Sequence, residues 1–253
     1  QLIVPGGSSS GSAVSVGHGI VSFSLGTDTA GSGRVPAALN NIVGLKPSLG
    51  SLSSSGVVPA CRTIDTVSVF AMTVEDAYNV FTILNEYDEK DSYSKSFKKL
   101  PLSLPQHPIK IGIPDKSSIR FFNDNFQSES FDRNINKLKL HDFEIIPINF
   151  DPFYEIAQLL YEGSWVAERY TVIEDLLKKN SKAIHNVTRQ IIKKAENFSA
   201  ADTFEDYYKL SELKRKVKPI LSSVDMLCVP SIPTFYSVND LINDPFTPNS
   251  NLG

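Results

Sequence analysis

The hydrophobic pattern changes character near residue 107. Before it, short apolar runs alternate with turns rich in Gly and Ser; after it, strand-like and helix-like periods follow one another. Residues 12–25 are small and apolar. Their first part fits a helix packed closely on a sheet, and residues 20–25 fit a short buried strand leading into the Gly-rich turn at 26–32. Residues 34–41 can start a short helix, and residues 42–46 a strand stopped by Pro47. The Ser- and Gly-rich stretch 48–60 reads as loop. Thr73 offers a hydroxyl at a helix start with Glu75 and Asp76 in the first turn, after which Ala77, Val80, Phe81 and Leu84 mark one apolar face. Residues 86–107 keep no period and carry Pro101 and Pro105, which predicts an internal linker.

Beyond it, residues 109–113 alternate as a strand does, Phe131, Ile135 and Leu138 share a helical face, and residues 143–148 form a second strand. Residues 153–179 are helical with a break expected near Gly163, residues 186–222 suggest two more helices, and residues 224–229 a buried strand ended by Pro230. This βαβ rhythm predicts an α/β fold, a sheet covered by helices.

Composition narrows the classes. A chain of 253 residues with 41% hydrophobic and 21% charged residues can bury a substantial core. A net charge of −3 gives no electrostatic reason to expect nucleic acid or an anionic membrane as partner. The apolar runs are too short to span a bilayer. Cys61 and Cys228 are read as reduced, buried thiols of a reducing compartment, which points to the cytoplasm. Neither they nor the four histidines show zinc-ligand spacing, so no metal is expected.

The chemistry concentrates in residues 5–50. Ser32 lies between Gly31 and Gly33 in Asp28-Thr-Ala-Gly-Ser32, where the N–H groups of residues 29–32 could bind an oxyanion and small neighbours admit a carbonyl. Ser8, Ser9 and Ser10 follow Gly6-Gly7 in a second such turn. Two hydroxyls in separate Gly-rich turns suggest acyl transfer by serine, although such turns are also ordinary chain reversals. A serine hydroxyl needs an activating base. His18 sits between glycines in an apolar run, while His107, His141 and His185 are expected on the surface. The first lysine, Lys46, is bounded by Pro47 and suits a structural role. The residues alone therefore supply a nucleophile without an evident base.

Residues 6–50 closely resemble the signature of the amidase signature family. They carry Gly-Gly-Ser-Ser-x-Gly, Gly-Thr-Asp-x-x-Gly-Ser-x-Arg-x-Pro and Gly-Leu-Lys-Pro in order. The resemblance implies a large mixed sheet between helical layers and a Ser–cis-Ser–Lys triad. By it, Ser32 is the nucleophile and Ser8 the relay serine after a cis peptide. Thr29, Ala30, Gly31 and Ser32 match the oxyanion hole, and Asp28 and Arg34 a charged pair bracing the nucleophile loop. The family's lysine lies well upstream of the relay serine. It is absent from these residues, so a single amidase domain truncated at both ends is expected.

Four later motifs resemble the members of the family that cleave allophanate: Pro59-Ala-Cys-Arg-Thr-Ile-Asp65-Thr-Val-Ser-Val-Phe70, Tyr161-Glu-Gly-Ser-Trp-Val-Ala-Glu-Arg169-Tyr, Phe198-Ser-Ala-Ala-Asp202 and Val229-Pro-Ser-Ile-Pro-Thr234. In that group a tyrosine and an arginine hold the substrate, and they match Tyr161 and Arg169. A guanidinium suits the carboxylate of a small anionic amide. On a continuous helix the spacing would place the two side chains roughly 80° apart. Trp165 and Tyr170 are expected to pack, Asp65 to order its loop, and the lysines around 178 and 214 to face solvent. The implied reaction needs no cofactor; biotin and ATP would belong to a separate urea carboxylase, fused or cooperating, and a homodimer is compatible. Another amide substrate, in a general amidase or the amidotransferase component that feeds ammonia to charged tRNA, or an inactive fragment, stay open as alternatives.

Overall fold

The computed structural model describes residues 2–103 and 108–248. His107 and the end of the expected linker lie outside the described residues. The chain divides into two compact units, Gln1–Ser103 with Phe235–Gly253, and Leu104–Thr234.

In the first unit the strands β1 (Phe23–Asp28), β2 (Val43–Leu45) and β3 (Thr66–Ala71) form an antiparallel sheet in the order β1-β3-β2. Phe23 pairs with Ala71 and Asp28 with Thr66, so the end of β1 that leads to Ser32 starts beside the beginning of β3. Alternate residues of β3 face opposite ways. Phe70 packs with Ala13 and Val16 of α1 (Ser10–Gly17) and Ala37 of α2 (Arg34–Leu39). Val69 and Ala71 pack with Leu52 and Ala77, the latter on α3 (Val74–Leu84), with Val80 and Phe81 against them. The sheet is thus covered on both faces.

That double cover explains a strand the pattern did not reveal. In β3 every residue but Val67 is buried, so it lacks the apolar–polar alternation of a half-exposed strand. The strand expected over residues 20–25 starts instead at Phe23 and runs on to Asp28, and it is not buried: Phe23 and Leu25 are exposed. α3 follows expectation, with Thr73 Oγ1 accepting from Asp76 N at 3.1 Å. Of its apolar face, Leu84 remains exposed. Residues 86–103 hold no helix or strand, yet their first part is fastened down. Lys95 N donates to Gly50 O at 2.7 Å, and Asp91 accepts from Ser54 N and Oγ.

The unit closes on itself across a long sequence gap. Ile3 bridges Ser237 in antiparallel fashion, Val4 N donates to Tyr236 O at 3.0 Å and Val238 N to Leu2 O at 3.0 Å. Ser237 then caps α9 (Val238–Asn243) with a reciprocal capping box to Asp240.

The second unit contains the expected βαβ. β4 (Lys110–Pro114), α4 (Asn125–Leu140) and β5 (Glu144–Ile148) place two parallel strands side by side, and β6 (Met226–Leu227) joins in parallel on the other edge of β4. Ile135 is the buried residue of α4. α5 (Asp151–Glu162) packs on α8 (Ala200–Ser222), whose Leu213 and Val217 are buried. α6 (Val166–Asn180) and α7 (Asn186–Lys193) complete the unit. The first sheet is antiparallel and the second parallel, so the chain is α/β with both strand arrangements. Among the described residues no helix is long and apolar enough to cross a membrane.

Candidate functional site

The loop carrying Ser32 is organised by one carboxylate. Asp28, at the end of β1, is fully buried. Its Oδ1 accepts from Gly31 N at 2.8 Å, and its Oδ2 from Gly33 N and Arg34 N, both at 3.1 Å. Arg34 adds Nε to Oδ2 at 2.9 Å and Nη2 to Oδ1 at 2.8 Å, a fork meeting a carboxylate. Burial pushes the Asp28 pKa up. The Arg34 hydrogen bond and charge and the N–H groups of Gly31 and Arg34 outweigh it, so the carboxyl sits below its ordinary 3.8.

Two glycines make this wrapping possible. Gly31 has φ +109°, a conformation side chains disfavour. A Cβ on Gly33 would lie 2.7 Å from Ser68 Oγ and 2.8 Å from Ser68 Cβ, so the loop rests directly on β3. The chain then enters α2, with Val35 N donating to Gly31 O at 2.7 Å.

The second Gly-rich turn lies against the first. The Gly7–Ser8 peptide bond is cis, and Ser9 N donates to Ser32 O at 3.4 Å. The three serines have different surroundings. Ser9 Oγ accepts from Thr27 N at 3.1 Å and donates to Thr27 O at 3.2 Å, which ties the turn to β1. Ser10 Oγ donates to Gly6 O. Ser8 is exposed and Ser32 half-buried. The structure therefore brings the Ser8 and Ser32 segments together, with Ser9 as the fastener.

One member of the expected oxyanion set is otherwise employed. The Gly31 N–H points at Asp28, so Thr29, Ala30 and Ser32 are left as candidate donors. Thr29 is itself held, its hydroxyl donating to Asp65 Oδ1. Asp65 also accepts from Ala60 N at 2.7 Å and Cys61 N at 3.0 Å, the loop-ordering role its motif suggested. Lys46 is half-buried near Asp28 and Arg34. Burial lowers its pKa, opposed by Asp28 and reinforced by Arg34. His18 is exposed at the end of α1.

Tyr161 and Arg169 lie in the second unit. Tyr161 is near the end of α5, and Arg169 is in the first turn of α6. The break expected near Gly163 is there, so the two side chains do not share a helix and the 80° spacing does not apply. Asp206 of α8 holds the joint, accepting from Ser164 N at 2.6 Å. Trp165 packs on Tyr207, with ring centroids 5.0 Å apart. Lys178 is exposed and pairs with Glu174.

Sequence reasoning did not single out Ser9 among its neighbours or Ser68. Only the strand pairing that places Ser68 under Gly33 and Ser9 beside Thr27 reveals them. Cys61 is buried as expected, whereas Cys228 is only half-buried, with burial raising its thiol pKa.

The chain is similar to known proteins over almost its whole length. The amidase family profile matches residues 2–238. Urea amidolyases of Lachancea kluyveri and Saccharomyces cerevisiae are each 42% identical over 99% of the chain, which spans 14% of either protein. The crystal structure of Kluyveromyces lactis allophanate hydrolase superposes with a TM-score of 0.94 at 42% identity, covering 99% of this chain and 41% of that one. A glutamyl-tRNA(Gln) amidotransferase chain of Thermotoga maritima gives 0.70 at 27% identity, over 99% of this chain and 57% of that one. The profile runs through the Ser8 turn, the Asp28-centred loop of Ser32 and both compact units, and the chain belongs to the amidase family.

Proposed function

We propose that the protein this chain represents hydrolyses allophanate through a serine acyl-enzyme. The carrying observation is the Ser32 loop, wrapped on Asp28 and fastened by Ser9 to the turn that holds Ser8. Its likeness to K. lactis allophanate hydrolase, at 42% identity, supports the substrate.

Ser32 Oγ attacks the carbamoyl carbon of allophanate. Its proton passes to Ser8 Oγ, and Ser8 gives its own to the lysine base that the family resemblance implies. The N–H groups of Thr29, Ala30 and Ser32 stabilise the oxyanion, each donor contributing about 3–4 kcal/mol in comparable sites. The C–N bond breaks and the departing amine takes the relayed proton, leaving as ammonia. Water then adds to the acyl-enzyme, its proton returns to Ser32, and N-carboxycarbamate departs. That product loses carbon dioxide to give ammonia and further carbon dioxide. The steps use only side chains, backbone N–H groups and water. We place the protein in the cytoplasm beside or fused to a urea carboxylase, whose biotin- and ATP-dependent reaction supplies the substrate.

The test is hydrolysis of allophanate, simple amides and glutamine by the full-length protein and its Ser32→Ala variant. Allophanate is expected to be the preferred substrate, and Ser32→Ala to abolish turnover with binding largely intact. Preference for another amide would refute the substrate, and unchanged turnover in the variant would refute the nucleophile.

A further inference from the structure

The Thr29–Asp65 contact leads from the nucleophile loop to a cavity that the proposed mechanism does not use. It measures 290 Å³ and is lined by Ser54, Ser55, Pro59, Arg62, Asp65 and Lys90, with Asp91 on its wall. All of these residues belong to the first unit. The volume is near the lower end for small-molecule sites.

The charges in this cavity are not balanced in the way a bare count suggests. Both carboxylates are already engaged. Asp65 accepts from Thr29 Oγ1, Ala60 N and Cys61 N. Asp91 accepts from Ser54 N at 2.7 Å, Ser54 Oγ at 2.8 Å and Tyr93 N at 2.9 Å. Their negative charge is turned toward the loop N–H groups and hydroxyls. Arg62 is different. It is exposed, and among the described residues its guanidinium meets no carboxylate; it lies over the Tyr93 ring, 5.3 Å from the centroid. Such stacking holds the plane of a guanidinium and leaves its N–H edge available. Lys90, the other cation of this wall, lowers the Asp88 pKa by its charge but forms no ion pair among the described residues; Arg62 is distinguished from it by the ring on which it rests.

The platform beneath Arg62 is itself fastened. Tyr93 is held by its own N–H to Asp91 and, two residues on, by Lys95 N to Gly50 O at 2.7 Å. The guanidinium is therefore presented from a fixed wall next to the oxyanion segment.

We propose that Arg62 is an anion-recognising residue of this enzyme, capturing the carboxylate of its small carboxylated amide substrate in the cavity beside the nucleophile loop. The inference rests on the amide-hydrolase reading above and adds a determinant in the first unit to that reading. A capture role raises the rate of productive encounter without touching the reacting bonds. It should act on KM and on kcat/KM, and added salt should weaken it.

Full-length protein, Arg62→Ala and Arg62→Lys would be compared with allophanate as substrate and malonate as competing dianion. Arg62→Ala is expected to raise the KM for allophanate and the inhibition constant of malonate about tenfold. Its kcat should stay within about twofold, as for lost uniform binding. Arg62→Lys should fall between, and the rise of KM with salt should be shallower in Arg62→Ala than in the parent. Unchanged KM and inhibition constant, or a loss confined to kcat, would overturn the proposal. If the parent protein does not cleave allophanate, the proposed reaction fails on its own. Calorimetric titration of malonate into parent and Arg62→Ala then still decides Arg62, with equal affinity overturning its role.

Discussion

Asp28 and Arg34 meet through two parallel hydrogen bonds, although Asp28 is fully buried and the Arg34 side chain is half in solvent. The same carboxylate takes three backbone N–H groups of the loop that follows it. One buried charge thus sets the path of the chain around Ser32.

Replacing that charge should be costly. Asp28→Ala leaves Arg34 without its fork partner and three N–H groups without an acceptor. The expected loss is on the order of 3–5 kcal/mol, chiefly from the three N–H groups left without an acceptor, since Arg34 can turn to solvent. Urea unfolding of the variant would show it as a lower midpoint with little change in slope. Arg34→Lys should lose less, since the ammonium keeps the charge and the backbone donors stay paired.

Acid should act through the same group. The folded carboxyl lies below the ordinary value of 3.8, so its contribution is complete above that value. It is lost as pH falls through the lower, folded value, where protonation of the native state begins. Melting curves between neutral and strongly acid pH should show a steeper decline for the parent protein than for Asp28→Asn. Parallel declines would mean that other carboxylates carry the acid sensitivity.

Gly33 gives a packing prediction. In Gly33→Ala the new methyl meets Ser68 Oγ and Cβ at under 3 Å, and the strain should cost about 1–3 kcal/mol. Because both clashing atoms belong to Ser68, the double variant Gly33→Ala/Ser68→Gly should recover part of the loss. Additive losses would place the obstruction elsewhere.

Thr29 and Asp65 give a kinetic one. Thr29→Val removes the hydroxyl that holds the candidate oxyanion segment to Asp65 but leaves the Asp65 bonds to Ala60 and Cys61 in place. A loosened donor set should lower kcat by about tenfold to a hundredfold, with little change in melting temperature. Asp65→Ala should lower both. Equal melting losses in the two variants would assign Thr29 to structure alone.

The sequence made some of this legible and hid the rest for physical reasons. Thr73 and the βαβ unit declared themselves because capping and period are local properties. The break at Gly163 was also visible, whereas Asp206, which accepts from Ser164 N at the joint, comes from far along the chain and was not. β3 was silent because both faces are covered. Ser68 was silent because its neighbour Gly33 arrives through strand pairing. The run of small residues after Asp28 was legible as a candidate oxyanion segment, yet no spacing could announce that Gly31 would give its N–H to Asp28.

The pairing of residues 2–4 with residues 236–238 has a bearing on how the chain is made. Protein domains tend to fold as units while synthesis proceeds from the N-terminus. Here the partner of residues 2–4 is translated only after all of Leu104–Thr234. The second unit can fold before the first is closed, and the Gly6–Ser10 turn waits for its flanking anchor until residues 236–238 leave the ribosome.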